Sequence, residues 1–261
     1  MPDNAFELID THFGYEKKTE ILHGVTAQIP AGEITALIGP NGCGKTTTFG
    51  LLSKTFKPWS GEILFCGKPL SEIERKEYAR KVSVVHQYNT VPDDMTVKNL
   101  VALGRTPYHN TLFSHENQAD KDIIAEAMEF TGIAEFANRY VKELSGGQMQ
   151  RVWLSLALAQ SRETLLLDEI TTYLDIRYQY EILNLIKDLN EKFKTTVVMV
   201  LHDINQTMQY SDNTVIMKSG NIVCQGRTEE VISEEIIKST YGVDARIQNI
   251  GESKICLFNK K

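Results

Sequence analysis

Residues 39–46 read GPNGCGKT and fit G-x-x-x-x-G-K-[ST] at every fixed position. That motif cradles a phosphate only when a strand delivers it and a helix opens from it. The flanks supply both: Glu33–Ile38 predicts a strand and Thr46–Leu52 a helix. Backbone amides must come close to the phosphates, and a Cβ would obstruct turns of positive φ, so Gly39, Gly42 and Gly44 punctuate the loop around Pro40, Asn41 and Cys43. Lys45 then reaches the β- and γ-phosphates, Thr46 offers its hydroxyl to Mg²⁺, and Thr47 follows among the nucleotide-binding residues.

A second stretch has the same flavour. Residues 144–151 read LSGGQMQR, and Gly146 and Gly147 open a run, Gln148–Gln160, with helical patterning. Free amides and a partial positive charge at a helix N-terminus make an anion site. The puzzle is why one chain carries two.

Further strands are predicted at Lys81–Val85, Thr164–Leu167 and Thr195–Leu201, with a helix at Ile176–Phe193 whose Ile182, Leu183, Ile186, Leu189 and Phe193 share a face. Strands alternating with helices imply a parallel sheet. Phe6–Ile9, Gly24–Ile29 and Ile63–Phe65 read instead as short antiparallel strands. Thr214–Met217 and Ile222–Gln225, joined by Lys218-Ser219-Gly220-Asn221, read as a hairpin. Helical patterning dominates from Met95 to about Arg162, notably at Ala119–Phe130, and Glu229–Tyr241 predicts one short C-terminal helix. The fold class expected is α/β: a phosphate-loop NTPase (RecA-like) core, about 1–87 and 164–261, with an antiparallel β subdomain and an inserted helical subdomain, about 88–163.

With 261 residues the chain can bury a real core, and its formal net charge of −6 argues against nucleic acid as the main partner. Four scattered cysteines without a C-x-x-C pair suit a reduced, cytosolic setting. The start MPDNAFELID has no signal-peptide pattern, and no apolar run approaches the ~20 residues of a spanning helix, so any membrane attachment is expected through other chains.

TLLLDE, residues 164–169, ends an apolar strand in two acids. Asp168 is placed to hold Mg²⁺ through water and Glu169 to polarise the attacking water. His202 and Gln87 each follow a predicted strand and would lie at the same ligand-binding edge, His202 facing a γ-phosphate and Gln87 reaching Mg²⁺ or water. Position alone leaves each equally open to a structural reading. Tyr15 in HFGYEKK offers a ring for an adenine to stack on, or is a tyrosine in a surface turn.

With these motifs in order, the sequence resembles the nucleotide-binding subunit of an ATP-binding cassette (ABC) transporter. The resemblance runs over nearly the whole chain. It includes the Walker A loop Gly39–Thr46, the signature Leu144–Arg151, the Walker B strand with Asp168 and Glu169, the D-loop around Asp175, Gln87, His202 and Tyr15. It implies a head-to-tail homodimer with ATP between the Walker A loop of one copy and Ser145, Gly146, Gly147 and Gln148 of the other, which would resolve the puzzle of two loops. It also implies ATP and Mg²⁺ as ligands, integral membrane permease subunits as partners, a solute-binding protein outside the membrane acting indirectly, and a peripheral location on the cytoplasmic face of the cell membrane. VALGRTPYHN (101–110) and LHDINQTMQYSD (201–212) are similar to stretches of importer ATPases for ferric siderophores, haem and vitamin B12. A soluble ABC ATPase acting on DNA or the ribosome is disfavoured by the compact span between Gln87 and Leu144, and an exporter subunit by the lack of membrane spans. Ile170 stands where proline is usual, leaving the D-loop path open, and His86 stands where proline or serine is usual and reads as a surface histidine. Cys43 sits beside Lys45 and a helix N-terminus, which predicts a lowered thiol pKa and a thiol-sensitive loop.

Overall fold

The computed structural model describes residues 3–16, 19–87, 89–90, 94–109, 117–172, 174–251 and 253–258. Lys17 and Lys18 of HFGYEKK and Asn110 of VALGRTPYHN lie outside them. The chain divides into two compact units, residues 1–73 with 196–261, and residues 74–195.

The first unit holds two layers of strand. β1 (Asn4–Phe13), β2 (Leu22–Pro30), β4 (Ser60–Phe65) and β5 (Lys68–Pro69) form an antiparallel sheet in the order β2-β1-β4-β5. β1 buries Phe6 and Leu8, and Phe6 meets Phe65 of β4 with ring centroids 5.1 Å apart. Each such aromatic contributes roughly 1.5–3 kcal/mol by leaving water. The other layer centres on β3 (Ile34–Ile38), which pairs in parallel with both β8 (Thr196–Val200) and β9 (Asn213–Lys218). β3 and β8 are buried at all five positions, as continuous apolar runs in a covered parallel sheet should be. β10 (Asn221–Arg227) returns antiparallel to β9 and alternates half-buried with exposed residues. Their two-residue turn has φ of 47° at Ser219 and 77° at Gly220, the signs of a type I′ turn.

β3 feeds the loop at 39–44, and α1 (Lys45–Leu52) starts at its end. Seven of the eight residues of α1 are buried and Thr46 is exposed, so this helix is a core element with one hydroxyl left at its mouth. After β8, Asp203 caps α7 (Ile204–Tyr210) by accepting from the Gln206 amide at 2.9 Å. The single C-terminal helix expected at 229–241 is two: α8 (Thr228–Val231) and α9 (Glu234–Tyr241). The break comes from Ser233, whose hydroxyl accepts from the Ile236 amide at 3.3 Å and restarts the helix. A hairpin absent from the sequence reading follows, β11 (Ala245–Ile250) with β12 (Ser253–Phe258).

In the second unit α2 (Arg75–Lys81) leads into β6 (Val82–Val85), which pairs in parallel with β7 (Thr164–Asp168). Lys81, expected in the strand, is the last residue of α2. Between the strands run α3 (Val97–Ala102), α4 (Gln118–Phe130) and α5 (Gly146–Gln160); α6 (Ile176–Phe193) follows β7 and buries Ile182, Leu183, Ile186 and Leu189. The LGRTPY stretch is a 3₁₀ turn at 103–108 fixed by a buried ion pair, Arg105 Nε to Asp120 Oδ1 at 2.8 Å. Burial opposes the charge on Asp120, but Arg105 and the Asn117 cap hold its carboxyl below the usual range. Arg105 also donates to the Ala159 carbonyl at 2.7 Å and lies 3.7 Å from the Tyr108 ring centroid. Among the described residues no helix is long and apolar enough to cross a membrane.

Candidate functional site

The loop at 39–44 is shaped by what lies beneath it. Gly39, Gly42 and Gly44 have φ of 151°, 74° and 108°. A Cβ on Gly39 would sit 2.2 Å from the Met217 carbonyl oxygen, a backbone atom that cannot yield. The strand therefore turns sharply into the loop, whose Cys43 amide donates to the Pro40 carbonyl at 3.3 Å. Lys45 is 5 % exposed, and its ammonium donates to the Gly39 carbonyl at 2.8 Å and the Pro40 carbonyl at 3.1 Å. A buried cation is costly unless paired, and here loop carbonyls hold it at the mouth of the helix.

Cys43 corrects an expectation. The thiol is 3 % exposed, and burial pushes its pKa up, outweighing the nearby Lys45 ammonium. The loop cysteine is a shielded thiol, not an activated one. Tyr241, at the end of α9, faces the same loop; burial raises its phenol, the Cys43 thiol adds to this, and the Gly39 amide hydrogen-bonds to it.

Tyr15 stands on an aromatic ledge. It meets Phe13 and Phe56 edge-on, with centroids 5.4 and 5.3 Å away, while Phe13 and Phe56 stack at 5.1 Å. The ring is 57 % exposed, yet its hydroxyl is tied to Thr47 Oγ1 at 3.0 Å. The buried Thr47 thus fixes the tyrosine to the first turn of α1. His202 lies exposed just past β8, after Leu201, whose amide donates to the Leu37 carbonyl at 3.3 Å.

In the second unit β7 carries Asp168, 6 % exposed, at its C-terminal end. Glu169 follows in the left-handed region at φ 50°. Gln87 leaves β6, the parallel neighbour of β7, and the shared strand edge brings the two together: Gln87 Nε2 donates to Glu169 Oε2 at 2.7 Å. Thr172 Oγ1 donates to the same oxygen at 3.4 Å, a contact the sequence did not flag. Ile170 is 2 % exposed, so the residue in the unusual position anchors the turn in the core. Asp175 precedes α6 as its exposed N-cap residue, with Ile176 beside it 73 % exposed.

The signature at 144–151 opens α5 through a reciprocal capping box. Ser145 Oγ accepts from the Gln148 amide at 3.3 Å, and Gln148 Oε1 accepts from the Ser145 amide at 2.9 Å. Gly146 is exposed and Gly147 buried. A Cβ on Gly147 would lie 2.6 Å from Tyr178 Cδ1 of α6, so this glycine admits a ring. Tyr178 is a further residue that spacing could not reveal, because it depends on how α6 packs on α5.

In the first unit a glycine loop, the Lys45 ammonium and the exposed Thr46 hydroxyl are donors that suit a nucleotide phosphate and magnesium; in the second, the strand-end carboxylate of Asp168 suits magnesium. Mg²⁺ needs few protein ligands when phosphates supply the rest. Among the described residues no three His, Cys, Asp or Glu side chains form a group that could hold a metal ion.

Residues 22–172 match the family model described as ABC transporter. The ferric enterobactin transport ATP-binding protein FepC of Escherichia coli (strain K12) is 41% identical over 90% of this chain and 86% of its own length. The iron(3+)-hydroxamate import ATP-binding protein FhuC of Bacillus subtilis (strain 168) is 41% identical over 94% of this chain and 90% of its own. Among solved structures, a chain of an inward-facing ABC transporter described as of the metal-chelate type superposes with a TM-score of 0.83 at 26% identity, covering 98% of this chain and 97% of that one.

Proposed function

This chain belongs to the ABC transporter family, whose members bind and hydrolyse ATP, and from that premise we propose that it energises import of a ferric siderophore through a separate membrane permease. The likeness to the enterobactin and hydroxamate import proteins carries the cargo class. The chain then works at the cytoplasmic face of the cell membrane, held there by permease subunits that a solute-binding protein supplies.

The nucleotide is gripped by residues already described. The loop amides of Asn41, Gly42 and Gly44 hold the phosphates, and the Lys45 ammonium exchanges carbonyl partners for phosphate oxygens, which make stronger charge-assisted bonds. Tyr15 supplies a face for the adenine. Thr46 and Asp168 would hold Mg²⁺, which when bound would neutralise charge on the phosphates. Glu169 accepts the proton of the attacking water, and the Gln87 amide that bonds its Oε2 fixes the carboxylate's orientation. His202 contacts the γ-phosphate. Ser145, Gly146, Gly147 and Gln148 engage the ATP of a second copy, with Asp175 at the same interface. ATP then closes the dimer, and loss of the γ-phosphate opens it. In this reading the catalytic core covers about 1–87 and 164–261.

Uptake of radiolabelled ferric catecholate, ferric hydroxamate, haem and vitamin B12 tests the cargo in cells lacking the gene and any redundant ATPase. Loss of one ferric siderophore, restored by wild type and not by Glu169→Gln, is the expected result. Unchanged uptake of both iron chelates would overturn the iron reading.

A further inference from the structure

We propose that Gly220 is a positioning residue for the phosphate loop: the Ser219–Gly220 turn is a wedge that aims the Cys43–Gly44 peptide and keeps the loop open to an anion. The inference rests on the reading above in one respect, that this loop binds ATP.

Gly220 is tied on both sides. Its amide donates to the Cys43 carbonyl at 2.9 Å, and its own carbonyl accepts from the His23 amide, just inside β2, at 3.0 Å. A trans peptide is planar, so a Cys43 carbonyl held toward the hairpin turns the Gly44 N–H away from it. That amide is one of the donors the loop has for phosphate. The other end of the loop rests on the same hairpin, Gly39 against the Met217 carbonyl. The wedge has no slack. A Cβ on Gly220 would meet the Ile21 carbonyl oxygen at 2.0 Å and His23 Cδ2 at 2.6 Å, so a side chain would drive the hairpin off β2 and carry the Cys43 carbonyl with it. Lys218 ties the turn to α9 by donating to the Ser239 carbonyl.

A second turn in the same unit separates positioning from mere turn chemistry. Gly67, between β4 and β5, also has φ of 77° and follows a residue of positive φ, Cys66 at 50°. A Cβ there would meet nothing within 4 Å. Alanine at either site suffers the same backbone strain, and only at Gly220 does it meet neighbours.

The test is equilibrium binding of a fluorescent ATP analogue to the purified full chain, with urea unfolding measured alongside. Gly220→Ala is expected to weaken binding about tenfold or more, as for a misaimed donor, while Gly67→Ala, which carries the backbone strain alone, stays within about twofold. Lys218→Ala, a surface change that leaves the fold intact, is expected to weaken binding about two- to fivefold, and it decides the matter if Gly220→Ala does not fold. Lys45→Ala tells the two readings apart: if it binds like wild type, the assignment of ATP to this loop fails. If Lys45→Ala loses binding and Gly220→Ala matches Gly67→Ala, or Lys218→Ala alone is measurable and binds like wild type, the wedge is overturned.

Discussion

The loop before α1 and the turn before α5 both put glycines at a helix N-terminus, and they do so for different physical reasons. Before α1 all three glycines carry positive φ, and Gly39 lies against a backbone floor, the Met217 carbonyl. They bend the chain over the Lys45 ammonium, which donates to the Gly39 and Pro40 carbonyls. Before α5 neither Gly146 nor Gly147 is in the left-handed region, and the bend is made by Ser145 and Gln148 capping each other. Gly147 is small to admit Tyr178. The first loop is thus a preset turn with its own cation. The second is a flat, self-capped helix end that needs a ligand brought to it. Two glycine loops in one chain suit the proposed dimer, in which each copy supplies one half of a site.

The comparison breaks if Lys45 is dispensable. Lys45→Ala should weaken ATP binding roughly 100-fold, from losing about 3 kcal/mol of charge-assisted hydrogen bonding, as read by titration of the nucleotide. Gly147→Ala should instead leave ATP binding by the single chain intact and cost about 1–3 kcal/mol of stability through overpacking. Denaturant unfolding of Gly147→Ala, Tyr178→Ala and the double variant checks this, because relief of the clash makes the two losses sum to more than the double loses. Ser145→Ala removes the cap and should cost about 1 kcal/mol by the same assay. The smallest effect is chemical. With its pKa raised, Cys43 holds less thiolate than an ordinary thiol at any given pH, so alkylation near neutral pH should label the exposed Cys66 first. Rapid labelling of Cys43 in the folded chain would restore the activated-thiol expectation.

Much of this was legible in the sequence because it is local. The strand-loop-helix around GPNGCGKT, the hairpin at Lys218–Asn221 and the amphipathic face of α6 each declare themselves within a few residues, by turn chemistry or by period. The meeting of Gln87 with Glu169 was only half legible: both were expected at strand ends, but their 2.7 Å contact follows from the β6–β7 register. What stayed hidden was set by tertiary packing. Cys43 has the neighbours of a reactive thiol, yet desolvation wins over Lys45. The burial of Arg105 in LGRTPY depends on Asp120, fifteen positions on, which pairs with it. The β11–β12 hairpin was hidden because, among the described residues, only Ala245 of β11 and Cys256 of β12 are buried, and β11 loses its alternation after Gln248.

The central claim is that the two glycine-opened helices serve one ATP through two copies of the chain. Sedimentation of Glu169→Gln with saturating Mg²⁺ and ATP tests it most directly, with Ser145→Arg added in the same background. The account predicts a dimer holding two ATP molecules, and with Ser145→Arg a monomer that still binds ATP. A Glu169→Gln chain that stays monomeric while fully loaded with ATP, or a dimer indifferent to Ser145→Arg, would contradict it.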